Sequence, residues 1–96
     1  MTKISHNYVM AYRLEYRASA HKELKKLPAD RRLQILQKLQ QLTENPDDPS
    51  LDVKKLVGRE GYRLRVGTYR VLYERYEDCL LILVLAVRPR GQAYRR

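Results

Sequence analysis

The stretch Tyr62-Arg63-Leu64-Arg65-Val66-Gly67-Thr68-Tyr69-Arg70-Val71-Leu72-Tyr73 leaves this chain little choice of fold. Apolar and polar residues alternate on both sides of Gly67-Thr68, the period-2 pattern of strands buried on one face. Gly-X is the pair that a two-residue type II′ hairpin favours, because the first loop residue needs a positive φ. A two-residue loop pairs Val66 with Tyr69, Arg65 with Arg70 and Arg63 with Leu72. One face then carries Tyr62, Leu64, Val66, Tyr69, Val71 and Tyr73, and the other carries Arg63, Arg65 and Arg70 beside Leu72 and Glu74.

The second face holds a local conflict. Like charges directly opposite one another across strands are destabilising, and here Arg65 faces Arg70 with Arg63 two residues along. Such conflicts mark functional sites. A guanidinium is planar, permanently charged and able to fork onto two oxygens, so a fixed arginine cluster suits phosphate. The whole chain agrees in sign: its formal net charge is +9 over 96 residues, which favours nucleic acid, an acidic protein or an anionic surface. Nine of the thirteen arginines follow residue 50, whereas five of the seven lysines precede it, so the anion site belongs to the second half.

The rest of the chain supplies a cover for the apolar face. Residues 1–9 read as a loose lead-in and residues 10–96 as one domain, the size of a single small core. Tyr12, Leu14 and Tyr16 alternate with Arg13 and Glu15, a short strand. Ser19 is placed to cap a helix in which Ala20, Leu24 and Leu27 form one stripe, ended by Pro28. A second helix runs over 29–44, with Ile35, Leu36, Leu39 and Leu42 on one side, and stops at Asn45-Pro46. Two helices joined so tightly form an αα-hairpin. Residues 47–61 read as a connecting loop carrying Lys54 and Lys55. Residues 80–87 are apolar at nearly every position, the mark of an interior strand. The expected fold is therefore α+β: an N-terminal strand, an αα-hairpin, then a three-stranded antiparallel meander with the helices on one sheet face.

Several chemistries find no footing in the sequence. One cysteine, Cys79, allows no internal disulfide and fits a reducing cytoplasm. The N-terminus lacks the apolar run of a secretory signal. Nine residues from Cys79 to Val87 are the longest apolar run, too short for a membrane-spanning helix. His6 and His21 lie far apart, no metal-ligand spacing is visible, and no cofactor motif occurs, so neither metal nor cofactor is expected. Arg88, Arg90, Tyr94, Arg95 and Arg96 make a basic tail in which Tyr94 can stack on a base or pass a proton.

The order strand, helix, helix, three strands, with the Tyr62–Tyr73 segment followed by Arg90-x-x-x-Tyr94, resembles the RelE/ParE superfamily of toxins from toxin–antitoxin operons, over about residues 10–94 and closer to its RelE side. That resemblance implies a ribosome-dependent endoribonuclease that cleaves mRNA in the A site by attack of the ribose 2′-OH on the adjacent phosphate, without a metal. It assigns catalytic roles to Arg63, Arg65, Arg70, Arg90 and Tyr94; the lysine pair Lys54 and Lys55 and the tail residues Arg88, Arg95 and Arg96 are expected from their charge and position as further RNA contacts. The implied partners are the ribosome with its mRNA and an acidic, RelB-like antitoxin. Two positions depart from the family. Lysines of the best-known RelE toxin stand here as Arg63 and Arg65, and arginine is not deprotonated in proteins, so the general base falls to Tyr94, Glu74 or a ribosomal group. Arg88-Pro89 replaces the Gly-His of many members, which removes a histidine acid or base from that place. The alternatives are a ParE-like gyrase poison without nuclease activity and a non-toxic RNA-binding module.

Overall fold

The computed structural model describes residues 11–89, and the elements among them are β1 (Arg13–Tyr16), α1 (Ala18–Lys25), α2 (Ala29–Glu44), β2 (Val53–Lys55), β3 (Tyr62–Val66), β4 (Tyr69–Tyr76) and β5 (Leu81–Pro89). The five strands make one sheet in the order β1-β5-β4-β3-β2. β1 runs parallel to β5, and the remaining pairs are antiparallel. This is the expected α+β arrangement, with β3, β4 and β5 as the meander.

The central hairpin has the register that its alternation dictates: Val66 opposite Tyr69, Arg65 opposite Arg70, Arg63 opposite Leu72. Gly67 takes φ +58 while Thr68 keeps a negative φ, as a type II′ loop requires. Leu64, Val66, Val71 and Tyr73 are buried, and Tyr62 and Tyr69 pack against them. Tyr62 stacks on Tyr73 across the strands with ring centroids 5.4 Å apart, a contact worth about 0.5–1.5 kcal/mol beyond its area. Ala20 and Leu24 of α1 and Ile35, Leu39 and Leu42 of α2 close over this face, joined by Ile82, Val84 and Val87 of β5. Leu36 lies on the rim, 38% exposed.

Three local features differ from the sequence expectation. β2 is a strand where a loop was expected: Val53, Lys54 and Lys55 pair with Leu64, Arg63 and Tyr62. Three residues are too few to show a period, and the ladder comes from β3. α1 begins at Ala18 rather than after Ser19, with Arg17 at the cap position and no side-chain cap. Strand pairing sets this start, because the Arg17 N–H donates to Val84 O at 2.9 Å and carries the β1–β5 ladder up to the helix. The helix also ends before Leu27. There Arg32 of α2 donates from Nη1 to Leu27 O at 3.1 Å and to Lys25 O at 3.3 Å, satisfying carbonyls that the helix end leaves open. Finally, β5 bulges: Leu72 faces Ala86 but Tyr73 faces Val84, so Leu85 is the extra residue. The bulge lets Val84 and Val87 both point at the core, leaving Ala86 and Arg88 on the opposite face.

The far end of the sheet is held by Arg75. Its two Nη atoms donate to the Asp47 carboxylate at 2.9 and 3.2 Å, and its guanidinium lies 5.8 Å from the centre of the Tyr12 ring. Tyr12 in turn donates to Glu77 at 2.9 Å. One arginine thus ties the chain before β1, the loop after α2 and the β4–β5 turn. Hydrogen bonds and the charge of Arg75 hold the Asp47 carboxyl below its ordinary range.

Candidate functional site

Cross-strand pairing alone assembles the site. On the face away from the helices, Arg65 of β3 lies opposite Arg70 of β4, and Arg70 lies opposite Arg88 of β5. Two residues along, Lys54 of β2 lies opposite Arg63, Arg63 opposite Leu72, and Leu72 opposite Ala86. Neighbouring strands are about 4.8 Å apart and alternate residues about 7 Å apart. The two rows therefore place Lys54, Arg63, Arg65, Arg70 and Arg88 on one patch of rigid sheet.

Two carboxylates make so dense a group of cations compatible with folding. Asp52, just before β2, accepts from Arg63 Nη2 at 3.2 Å and lies 3.7 Å from Arg65 Nη1. Its backbone carbonyl also accepts the Arg65 N–H at 3.0 Å, so its position is set by the sheet itself. Glu23 of α1 reaches Arg88 Nε at 3.4 Å from the other side. The arginines are partly sunk in the surface: the Arg63 side chain is 14% exposed and that of Arg65 is 35%. The Nε atoms of Arg63 and Arg65 are buried and have no hydrogen-bond partner among the described residues. Leu72 and Ala86 floor this face between the cations.

A cavity of about 210 Å³ opens over the patch, lined by Lys54, Lys55, Leu56, Val57, Arg63 and Arg70. Val57 is 95% exposed on its rim. The arrangement suits a strand of nucleic acid, with guanidiniums for the phosphate and an apolar wall for a sugar or base.

The structure brings Arg63, Arg65 and Arg70 together as their alternation implies, and adds Lys54 and Arg88, expected as RNA contacts. Lys55 pairs with Tyr62 and reaches the cavity from its edge. Arg90, Tyr94, Arg95 and Arg96 lie outside the described residues. Glu74 stands apart from the arginine rows. It is four residues from Arg70, about 13 Å along the strand, and accepts a short hydrogen bond from the Tyr76 hydroxyl. Both line a separate cavity of about 350 Å³ with Glu60, Tyr62 and Arg75. His21 is exposed on α1, its ring edge-on to Tyr16. The reading of single residues missed Asp52 and Glu23. Their role depends on β2 pairing and on how α1 lies along β5, and neither carries a local sequence signal.

Comparison with known proteins agrees with the geometry. Residues 14–94 match the family model described as ParE toxin of type II toxin-antitoxin system, parDE. The chain is 31% identical over 87 residues to a RelE-like toxin protein of Escherichia coli, an alignment spanning 88% of this chain and 92% of that one. Among solved structures, the archaeal RelE–RelB complex from Pyrococcus horikoshii OT3 superposes with a TM-score of 0.75 at 32% identity, over 86% of this chain and 99% of that chain. The intact E. coli RelBE toxin–antitoxin complex superposes with a TM-score of 0.71 at 28% identity, over 82% and 96%.

Proposed function

Because this chain belongs to the RelE/ParE superfamily of type II toxin–antitoxin toxins, on its RelE-like side, we propose that it is an mRNA interferase that cuts messages on the ribosome. The observation that carries this reading is the row Arg65–Arg70–Arg88 with Arg63 beside it, all on the sheet face that the helices leave open. A scissile phosphate seated there meets several fixed guanidiniums. When the neighbouring ribose 2′-OH attacks phosphorus, negative charge grows on the non-bridging oxygens. Donors already in place stabilise that charge without reorganising, so they act on the transition state more than on the ground state. Lys54 and the Leu56–Val57 wall bind the flanking nucleotide. The arginines do not serve as base, since they stay protonated. Tyr94 or a group of the ribosome takes the 2′-OH proton, and the bond from phosphorus to the 5′-oxygen of the next nucleotide breaks, leaving a 2′,3′-cyclic phosphate and a 5′-hydroxyl protonated from a ribosomal group or water.

The partner follows from the same kinship and from the charge. A short acidic antitoxin of the RelB kind neutralises the +9 domain, folding on it to cover a large surface. The relatives from Pyrococcus horikoshii and E. coli are solved as complexes of that kind.

A second reading has one observation in its favour: the matching family model carries the ParE name. A ParE-like toxin poisons gyrase and needs no arginine row. Primer extension on cellular mRNA after induction separates the two. Cuts within translated regions, reproduced on purified programmed ribosomes, are the expected result. Intact mRNA with an induced DNA-damage response would replace the interferase reading by the gyrase one.

A further inference from the structure

Asp52 sits where a substrate would be expected to sit. Its carboxylate spans two of the arginines that the proposed mechanism uses, with one oxygen 3.2 Å from Arg63 Nη2 and the other 3.7 Å from Arg65 Nη1. Two oxygens shared between two guanidiniums is the arrangement that a phosphate takes up in the same place. The contacts are loose for ion pairs, and the Asp52 side chain is 54% exposed, so little holds the carboxylate there except the cations. Its backbone, in contrast, is fixed by the Arg65 N–H. The carboxylate can swing out while its anchor stays in the sheet.

From this geometry we propose that Asp52 is a resident counter-ion of the anion site. It stands in for the two phosphate oxygens in the free protein, keeps Arg63 and Arg65 extended and aligned, and is displaced by the RNA phosphate on binding. The inference rests on the interferase reading of the same face. Asp52 is a positioning residue here, not a catalytic one. Its presence has two opposed effects. It shields the site from weakly bound anions, so binding to stray RNA is weakened. It also sets the guanidiniums in advance, so a phosphate that does displace it finds them already in place.

The two effects divide cleanly in Asp52→Asn, which keeps the size and the backbone hydrogen bond but removes the charge. The test measures binding of a short single-stranded RNA, 2′-O-methylated so that it is not cut, to wild type and variant across a salt series, with cleavage on programmed ribosomes alongside. The expected result is severalfold tighter binding by the variant. The slope of log affinity against log salt should steepen, because in the variant the guanidiniums hold a salt anion that the RNA phosphate releases, whereas in the wild type the phosphate displaces a carboxylate of the chain itself. KM should fall together with kcat, since the guanidiniums are no longer held apart and extended. A merely structural aspartate would lower stability and leave the salt slope alone. Equal or weaker RNA binding by a folded variant overturns the inference and leaves the interferase reading standing. Failure of both proteins to bind or cut RNA removes that reading, and the inference with it. A direct check on the wild-type protein needs no variant: the carboxyl 13C resonance of Asp52 should shift to that of a free aspartate when the RNA is added, and an unmoved resonance overturns the displacement.

Discussion

Glu23 of α1 accepts the backbone N–H of Val87 at 2.8 Å, beyond the point where β1 stops pairing with β5. The same carboxylate reaches Arg88 with its other oxygen. A helix side chain thus continues the hydrogen bonding of an interrupted sheet edge and fixes the strand end that carries one arginine of the site. Glu23→Ala should cost about 1–3 kcal/mol, the penalty for leaving a partly buried donor unmade. For a domain of this size each kcal/mol corresponds to a fall of roughly 4–8 °C in Tm. Glu23→Gln retains an acceptor oxygen and should lose much less. Thermal circular dichroism on both variants checks this, and equal stability of the two alanine and glutamine proteins would show that charge, not the hydrogen bond, is what matters.

Arg70 occupies the middle of the three-strand row. Loss of one fixed donor to a developing oxyanion typically lowers the rate ~100- to 1000-fold. Arg70→Ala should therefore abolish cleavage in a single-turnover ribosome assay while the far-ultraviolet circular dichroism stays native, because its side chain lies off the core face. Arg70→Lys should recover only part, since a point charge does not fork onto two oxygens. A folded Arg70→Ala protein that cuts at the wild-type rate would move the active site elsewhere.

Gly61 precedes β3 at φ +114, and a Cβ there would approach the Tyr73 carbonyl oxygen to 3.0 Å. Gly58, in the same loop, has φ +79 and open space around it. Both positions disfavour a side chain through their backbone angles, a strain of about 1–3 kcal/mol, but only Gly61→Ala adds a clash with a backbone that cannot yield without disturbing β4. Gly61→Ala should be the more damaging of the two by urea denaturation, and the order of the two midpoints decides the matter.

Burial pushes the Tyr73 phenol up to about 12 from an ordinary 10. The folded value is the higher one, so this group's contribution to stability is whole below pH 10 and is lost as pH rises towards 12. A shift of that size corresponds to roughly 2–3 kcal/mol. Unfolding free energy measured between pH 9 and 12 should decline, and Tyr73→Phe should show a shallower decline over the same interval. Parallel curves for the two proteins would mean that other groups govern the alkaline limb.

The hairpin was legible in the sequence to the residue, because alternation and a Gly-X loop each specify register and agree with one another. The helices were legible in their apolar faces, less so in their ends: Ser19 is a fair cap by type, yet the Arg17–Val84 ladder bond starts the helix earlier. β2 was not legible, since Val53-Lys54-Lys55 has no period of its own and becomes a strand only beside Leu64, Arg63 and Tyr62. Arg88 read as part of a tail. It joins the row because β5 extends to Pro89 and because the extra residue Leu85 resets the alternation in front of it. A bulge is a property of two strands together, so neither strand's sequence announces it.

The parallel pairing of β1 with β5 gives the fold a timetable. Arg13 meets Leu81 and Tyr16 meets Val84, so a segment made early in translation waits for one made late. The helices, at residues 18–44, can form while the strands they cover are still being made. The nascent chain cannot complete the sheet, nor add Arg88 to Arg65 and Arg70, until β5 has emerged. The basic face stays incomplete for most of the time that this protein spends beside its own template.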